Sequence, residues 1–153
     1  SVYSGYQELT GLAGLRRDGF ASLASGAPGD LPGAGGLTTR PLGFSMQNSL
    51  LFVNVRLGKG GLLKVEALGG DDSRPLCGAS GPDAALLRGP IESTRKELSW
   101  PGLRKYAGQS LRFRFTLDRG ELYSFWVSSS PAGHSRGYLA GGALGRSSIL
   151  DTA

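Results

Sequence analysis

The sequence predicts an all-β fold: a jelly-roll-like sandwich of two packed antiparallel sheets, with about seven to nine strands and long glycine-rich loops. Several runs alternate apolar and polar residues with a period of two, the pattern of a strand with one buried face. Glycine accounts for 26 of the 153 residues and is concentrated between those runs, as turns require. No long segment keeps the 3.6-residue period of an amphipathic helix.

The first clear pair of runs lies in the middle of the chain. Residues 51–57 alternate, with the odd-numbered positions apolar, and residues 63–67 alternate in the same way. Between them stands Gly58–Gly61 (GKGG), which is rich in residues that tolerate turn conformations. This arrangement predicts an antiparallel hairpin with one face in the core.

A second pair of runs lies near the end of the chain and is separated by Asp118–Glu121 (DRGE). Residues 111–117 place Arg112 and Arg114 on the face opposite the apolar one, so these arginines are expected at the outer surface. Trp126 is expected on the outer face of the return run. The core-facing residues of that return run are predicted to be Tyr123, Phe125 and Val127. The pattern predicts a second hairpin.

The remaining elements are weaker. Strands are predicted over 2–9, 18–25, 35–44 and 92–100, a single helical turn over 103–106, and loops over 25–36 and 68–90. Pro41 is expected at an edge or at a strand end, since it cannot donate to a sheet. Residues 1–128 form the predicted sandwich domain. Residues 129–153 are rich in serine and glycine and are expected to form an arm or a linker.

Composition excludes several classes of protein. The net charge is +5 and the pI about 9.7, but the basic residues are scattered and accompany no nucleic-acid-binding motif. Nucleic acid is therefore not an expected partner. No run approaches the ~20 apolar residues of a membrane span. Cys77 is the only cysteine, which excludes an intramolecular disulfide, and it is expected in a loop with a half-buried thiol.

No credible catalytic or metal-binding arrangement is found, and no cofactor is expected. Gly133–Gly137 (GHSRG) matches the G-x-S-x-G pattern, with Ser135 at the nucleophile position. However, the only histidine, His134, precedes that serine, and a glycine-rich segment rather than a helix follows it. Asp71 and Asp72 are adjacent and lack the spaced oxygen ligands of a calcium site. The sequence therefore predicts a protein without enzymatic activity of its own.

Several short segments, in this order, carry a resemblance to a known family. They are RRDGFASL at 16–23, LTTRPL at 37–42, VE at 65–66 and ELYSF at 121–125. Over residues 4–128 the chain resembles the β-sandwich that follows a β-propeller in sialidase-like and family-32-like glycosidase homologues. Residues 74–93 depart from the family pattern, so no ligand role is carried over to them.

The resemblance implies a non-catalytic accessory module, because in that family the catalytic carboxylates belong to the propeller, a separate domain. It also favours an extracellular or secreted location. Two functions then compete: binding a carbohydrate, and docking to a propeller domain or another protein.

Carbohydrate binding needs an exposed aromatic platform with polar groups at its rim. The candidate ligand-binding residues are Trp100, Tyr106, Arg112, Arg114 and Trp126. In the alternative, the face carrying Trp126 and Arg114 buries against a protein partner, since tryptophan and arginine are favoured anchors of interfaces, and the C-terminal arm clasps a neighbour. An exposed Trp126 would favour sugar binding, whereas a Trp126 covered by the arm or by another chain would favour docking.

Overall fold

The structure is a computed structural model that describes residues 14–25, 34–43, 50–137 and 150–151. The predicted all-β, sandwich-like fold is confirmed: the described residues contain seven antiparallel strands and only two short 3₁₀ segments. The strands are β1 (Leu23–Ser25), β2 (Gly35–Thr38), β3 (Leu42–Gly43), β4 (Leu50–Gly69), β5 (Ala85–Arg88), β6 (Ile91–Leu98) and β7 (Ser110–Ser128). The 3₁₀ segments are Gly81–Asp83 and Pro101–Tyr106. The strand predicted over 2–9 lies outside the described residues.

Two long strands form the centre of the sheet. β4 and β7 pair in antiparallel fashion from Leu50 opposite Ser128 to Gly69 opposite Leu111. β1, β2 and β3 follow one another along the other edge of β7. β5 and β6 do the same along the other edge of β4. The sheet is therefore four strands wide. β4 and β7 occupy its two central positions, and short strands arranged end to end form its two edges.

The sheet is folded back on itself into two layers. The pairing of β4 with β7 is interrupted between Leu57 and Leu62, where the partner residues step from Gly120 to Asp118. A straight strand would separate the rings of Phe115 and Phe125, ten residues apart on β7, by ~33 Å. Their centroids are 4.8 Å apart. Both central strands must therefore bend at this level, so that the two halves of one sheet face each other.

We call the half that contains residues 50–57 and 120–128 the first layer, and the half that contains residues 62–69 and 111–118 the second layer. The two layers are thus parts of one continuous sheet rather than two separate sheets. The two predicted hairpins are wrong: each predicted turn lies inside a single strand, with Gly58–Gly61 in β4 and Asp118–Glu121 in β7. The residue types that suit a tight turn also suit a sharp bend, and sequence alone does not distinguish them.

The alternation that predicted the core is confirmed over most of its length. The side chains packed inside the sandwich include Leu51, Val53, Val55, Leu57, Leu63, Val65, Ala67, Leu111, Phe113, Phe115 and Leu117. One step of the prediction fails: Leu122 is buried in the core, whereas Tyr123 lies on the outer face. The pairing shifts register here, as Asn54 is opposite Ser124 but Val55 is opposite Leu122. The resulting bulge exchanges the two faces of the strand.

The weaker elements are partly confirmed. The strands over 35–44 and 92–100 are present as β2, β3 and β6, and the helical turn is the 3₁₀ segment at Pro101–Tyr106. Strand β5 lies inside the predicted loop 68–90; it is only four residues long, too short for its alternation to stand out. Cys77 is exposed, not half-buried as expected.

The glycines at the bend provide a test of this architecture. A Cβ atom on Gly61 would lie 2.6 Å from the carbonyl oxygen of Arg119 and 3.0 Å from that of Gly58, and neither backbone atom can give way freely. We expect Gly61→Ala to lower the free energy of unfolding by about 1–3 kcal/mol, the usual cost of overpacking. Gly43→Ala is the matched control, since a Cβ on Gly43 meets nothing within 4 Å. Urea unfolding measures both; equal midpoints for the two variants would contradict the bend.

Candidate interaction surface

Two of the predicted ligand-binding aromatics pack against the core, Trp100 buried and Tyr106 half-buried. Trp100 is only 7% exposed, its ring centroid lies 6.0 Å from that of Phe113, and its Nε1–H donates to the Asp83 carbonyl oxygen at 3.1 Å. Tyr106 packs against the core, and its hydroxyl donates to the Cys77 carbonyl oxygen at 2.6 Å. Trp100 therefore offers no surface platform, and the hydroxyl of Tyr106 is already engaged within the domain.

The two predicted arginines lie on the outer face of the second layer and are also engaged within the domain. Arg112 donates to the carbonyl oxygens of Gly70, at 2.9 Å, and Thr39, at 3.2 Å. Arg114 forms a two-pronged ion pair with Glu66, with nitrogen–oxygen distances of 2.9 and 3.1 Å. These contacts tie a loop and a neighbouring strand to β7.

Trp126 lies on the outer face of the first layer, partly buried. Its ring stacks on Phe52 with centroids 5.8 Å apart and planes 14° from parallel. Its Nε1–H donates to the Gly133 carbonyl oxygen at 3.0 Å, and the guanidinium carbon of Arg17 lies 5.9 Å from the ring centroid. Because the two layers face each other, the outer faces that carry Trp126 and Arg114 point in opposite directions. The two residues therefore do not form one binding face.

Two chain segments cover the outer face around Trp126. From the N-terminal side, Arg16 donates from Nε to Oδ1 of the fully buried Asn54 at 2.8 Å, and the Asn54 amide donates back to the carbonyl oxygen of Arg17. From the C-terminal side, residues 129–137 pass over the stacked rings. A Cβ on Gly133 would lie 2.6 Å from the Phe52 ring, so glycine is needed for this close approach.

A buried carboxylate joins these two segments. Asp151 is 0% exposed. Its Oδ2 accepts hydrogen bonds from Arg17 Nη2 at 2.7 Å, the Ser135 backbone amide at 2.8 Å and the Ser135 hydroxyl at 3.0 Å. Its Oδ1 faces Arg95 Nη2 at 3.4 Å. Burial alone would raise the pKa of Asp151, but the Ser135 and Arg17 donors outweigh it and hold that pKa well below its usual range.

Two residues of the GHSRG segment, His134 and Ser135, take part in the contacts that hold the arm. Six residues without strand structure separate the end of β7 from Ser135, and no helix follows Ser135 within the described residues. Its hydroxyl donates to Asp151, and the same carboxylate oxygen accepts from Arg17, so Ser135 belongs to the hydrogen-bond network that holds the arm. The Ser128 hydroxyl donates to the backbone carbonyl oxygen of His134 at 2.9 Å, which fixes the arm to the end of β7.

A row of charged side chains continues across the first layer. Glu92 accepts from Arg16 at 2.9 Å and from Arg56 at 3.0 Å. Arg16 also stacks over the ring of Tyr123, at 4.6 Å from its centroid, and the Tyr123 hydroxyl donates to Glu121. Hydrogen bonding to Arg56 is the main reason that the pKa of Glu92 is lowered. Opposite charges are paired here, so the row offers little net charge to a ligand.

Apolar side chains are exposed at the edge formed by β1 and β2. Leu23 is 47% exposed and Leu37 is 36% exposed, and both line a cleft of about 480 Å³ whose floor includes Leu122 and Phe125. Phe20, in the turn just before β1, is 92% exposed. The cleft opens where the two layers meet, and we call this surface, defined by Phe20, Leu23 and Leu37, the apolar edge.

The apolar edge and the Asp151 anchor were not predicted from the sequence. Gly19 donates to the Arg16 carbonyl oxygen in a tight turn in which Asp18 has a φ of 51°, and this turn directs Phe20 away from the core. The Asp-Gly pair at 18–19 is a turn signal that could have indicated this. Nothing in the serine- and glycine-rich arm distinguishes Asp151 from a solvated aspartate.

The described residues contain no group of three or more His, Cys, Asp and Glu side chains that could hold a metal ion. Across the described ranges, no helix has both the length and the hydrophobicity needed to cross a membrane.

Comparison with known proteins gave no match: no protein-family model, no curated protein and no solved structure is significantly similar to this chain.

The Asp151 anchor predicts a specific pH dependence of stability. A carboxyl whose pKa is lowered on folding contributes stability above its unfolded pKa of ~3.9, and loses that contribution as the pH falls below it. We expect Asp151→Asn to lower the free energy of unfolding at pH 7 by roughly 2 kcal/mol, as for a buried hydrogen bond to a charged group. The difference from wild type, measured by urea unfolding, should begin to shrink below about pH 5 and should go on shrinking as the pH falls towards the lowered pKa of folded Asp151.

The control for this prediction is Asp71→Asn, which removes an exposed carboxylate from the loop after β4. It should track the wild-type protein at every pH. A deficit in Asp151→Asn that is the same at pH 3 as at pH 7 would show that the charge of Asp151 is not what fixes the arm.

Proposed function

We propose that this chain is a non-catalytic β-sandwich module of a glycosidase-like protein, and that it acts by docking through the apolar edge onto an apolar surface of an adjoining domain. The observation that supports it most directly is the exposure of Leu23 and Leu37, which line an apolar cleft, together with that of Phe20 in the turn before β1. Contiguous exposed apolar surface is uncommon on soluble domains unless it serves an interaction. The resemblance to sandwiches that accompany a propeller supports the choice of an adjoining domain.

Carbohydrate binding is the alternative, and it has less support. A sugar needs several hydrogen-bonding groups beside an aromatic face, but the arginines and tryptophans proposed for this role are engaged inside the domain. The cleft itself offers few polar groups. The Tyr123 hydroxyl donates to Glu121 and the Ser124 hydroxyl to Asp18, so both are already partnered. An apolar surface of a neighbouring domain is a better complement to this cleft than a polyol.

The deciding experiment compares hydrogen–deuterium exchange in the isolated chain and in the full polypeptide that contains it. Docking predicts slower exchange at residues 21–25 and 35–38 in the full polypeptide. Leu23→Asp and Leu37→Asp should abolish that protection, since a charge cannot be buried without a partner. Leu86→Asp is the matched control, because Leu86 has the same 47% exposure as Leu23 but lies on β5, at the opposite edge of the sheet.

Unchanged exchange at the apolar edge would contradict docking. A screen of the isolated chain against immobilised glycans tests the alternative: we expect no binding. A glycan retained by the wild-type chain and released by Trp126→Ala would overturn the proposal in favour of carbohydrate recognition.

A further inference from the structure

We propose that Arg17, Arg95 and Ser135 form a peptide-binding site for a Leu-Asp segment, which is filled here by residues 150–151 of the same chain and which also accepts residues 150–151 of a second copy. The donors to the Asp151 carboxylate come from three different parts of the chain. Arg17 precedes β1, Arg95 lies on β6, and Ser135 follows β7. The site is therefore built by the folded domain, and residue 151 is its occupant.

The backbone of the occupant is recognised as well. The Asp151 N–H donates to the Gly137 carbonyl oxygen at 2.9 Å, and the Asp151 carbonyl oxygen accepts from the Arg136 N–H at 3.1 Å. Residue 150 takes part in a β-bridge. Main-chain pairing that holds a segment, combined with a pocket for one side chain, is how proteins bind extended peptides. The carboxylate pocket supplies the specificity for aspartate.

The connection to the occupant is long enough to reach another molecule. Twelve residues, 138–149, separate Gly137 from Leu150. Stretched fully, such a connection spans up to ~40 Å, and a domain of this size has a radius of gyration of ~15 Å. Exchange between copies would preserve the contacts of Asp151 with Arg17, Arg95 and Ser135, because these three residues remain in the receiving domain. The protein concentration then decides whether a site holds the segment of its own chain or that of a second copy, because a short tether gives the chain's own segment an effective concentration in the millimolar range.

The test separates the site from its occupant. Asp151→Ala leaves Arg17, Arg95 and Ser135 in place without the carboxylate. We expect a synthetic peptide of residues 146–153, with an amidated C-terminus, to bind this full-length variant and to shift the NMR signals of the Ser135 amide and the Trp126 indole. It should bind the wild-type chain at least about tenfold more weakly, because the tethered segment competes at millimolar effective concentration. A peptide with asparagine in place of the aspartate should not bind.

A mixing experiment tests the exchange between full chains. The Asp151→Ala chain offers an unfilled site, and a chain with both Arg17→Ala and Arg95→Ala offers a segment without a site. Each should be monomeric alone, and the two together should form a one-to-one dimer by light scattering. Adding Asp151→Ala to the second chain should abolish the dimer.

If Asp151→Ala does not fold, Asp151→Asn, which has the same shape, replaces it in both experiments. Absence of both peptide binding and dimer formation at millimolar concentration would overturn the proposal.

Discussion

The matched bends in β4 and β7 are the constraint on which the rest of the structure depends. Each central strand runs through both layers, and the two strands bend at the same level because they are paired on either side of the bend. The bend brings Phe113 and Phe115 of the second layer against Phe125 of the first, with ring centroids 4.8–6.2 Å apart. Burying these rings against each other excludes water from the centre of the sandwich and stabilises the packing of the two layers.

A second consequence of this architecture is that the outer face of the first layer is itself partly buried. Asn54 and Phe52 point away from the core, yet both are covered, by residues 14–18 and 129–137 respectively. A buried polar face is stable only if its groups are paired. Every buried side-chain nitrogen and oxygen within the described residues has a hydrogen-bond partner. Asp151 belongs to this set, and its pairing with Arg17 joins residues 150–151 to the segment before β1.

Structural features that depend on neighbouring residues in the sequence could be predicted, whereas features that depend on a distant partner strand could not. The in-and-out alternation of residues 51–57, 63–67 and 111–117 depends only on neighbours along the strand, and it was predicted correctly. Whether GKGG at 58–61 turns the chain or bends it depends on the partner strand, and so the hairpins were predicted wrongly. The exchange of Leu122 and Tyr123 has the same origin, since a bulge is set by register between strands.

The candidate site was harder to predict for a related reason. A tryptophan at an outward-facing position can be an exposed binding platform or a packing residue. Trp126 is a packing residue because residues 129–137, which have no distinctive sequence, cover it. The apolar edge likewise depends on the described residues leaving Leu23 and Leu37 exposed, and no local sequence pattern indicates this. Short-range periodicity thus indicates which residues face the core, but not which outward-facing residues remain exposed and able to bind a partner.

The continuity of the central strands has a consequence for how the chain folds. The residues paired at the two ends of the β4–β7 ladder are 42 positions apart, for Gly69 and Leu111, and 78 positions apart, for Leu50 and Ser128. The two layers are halves of the same ladder, and the paired residues of both are far apart in the sequence. The protein must therefore close these large loops before its core forms. Such a high contact order is typical of slow folding.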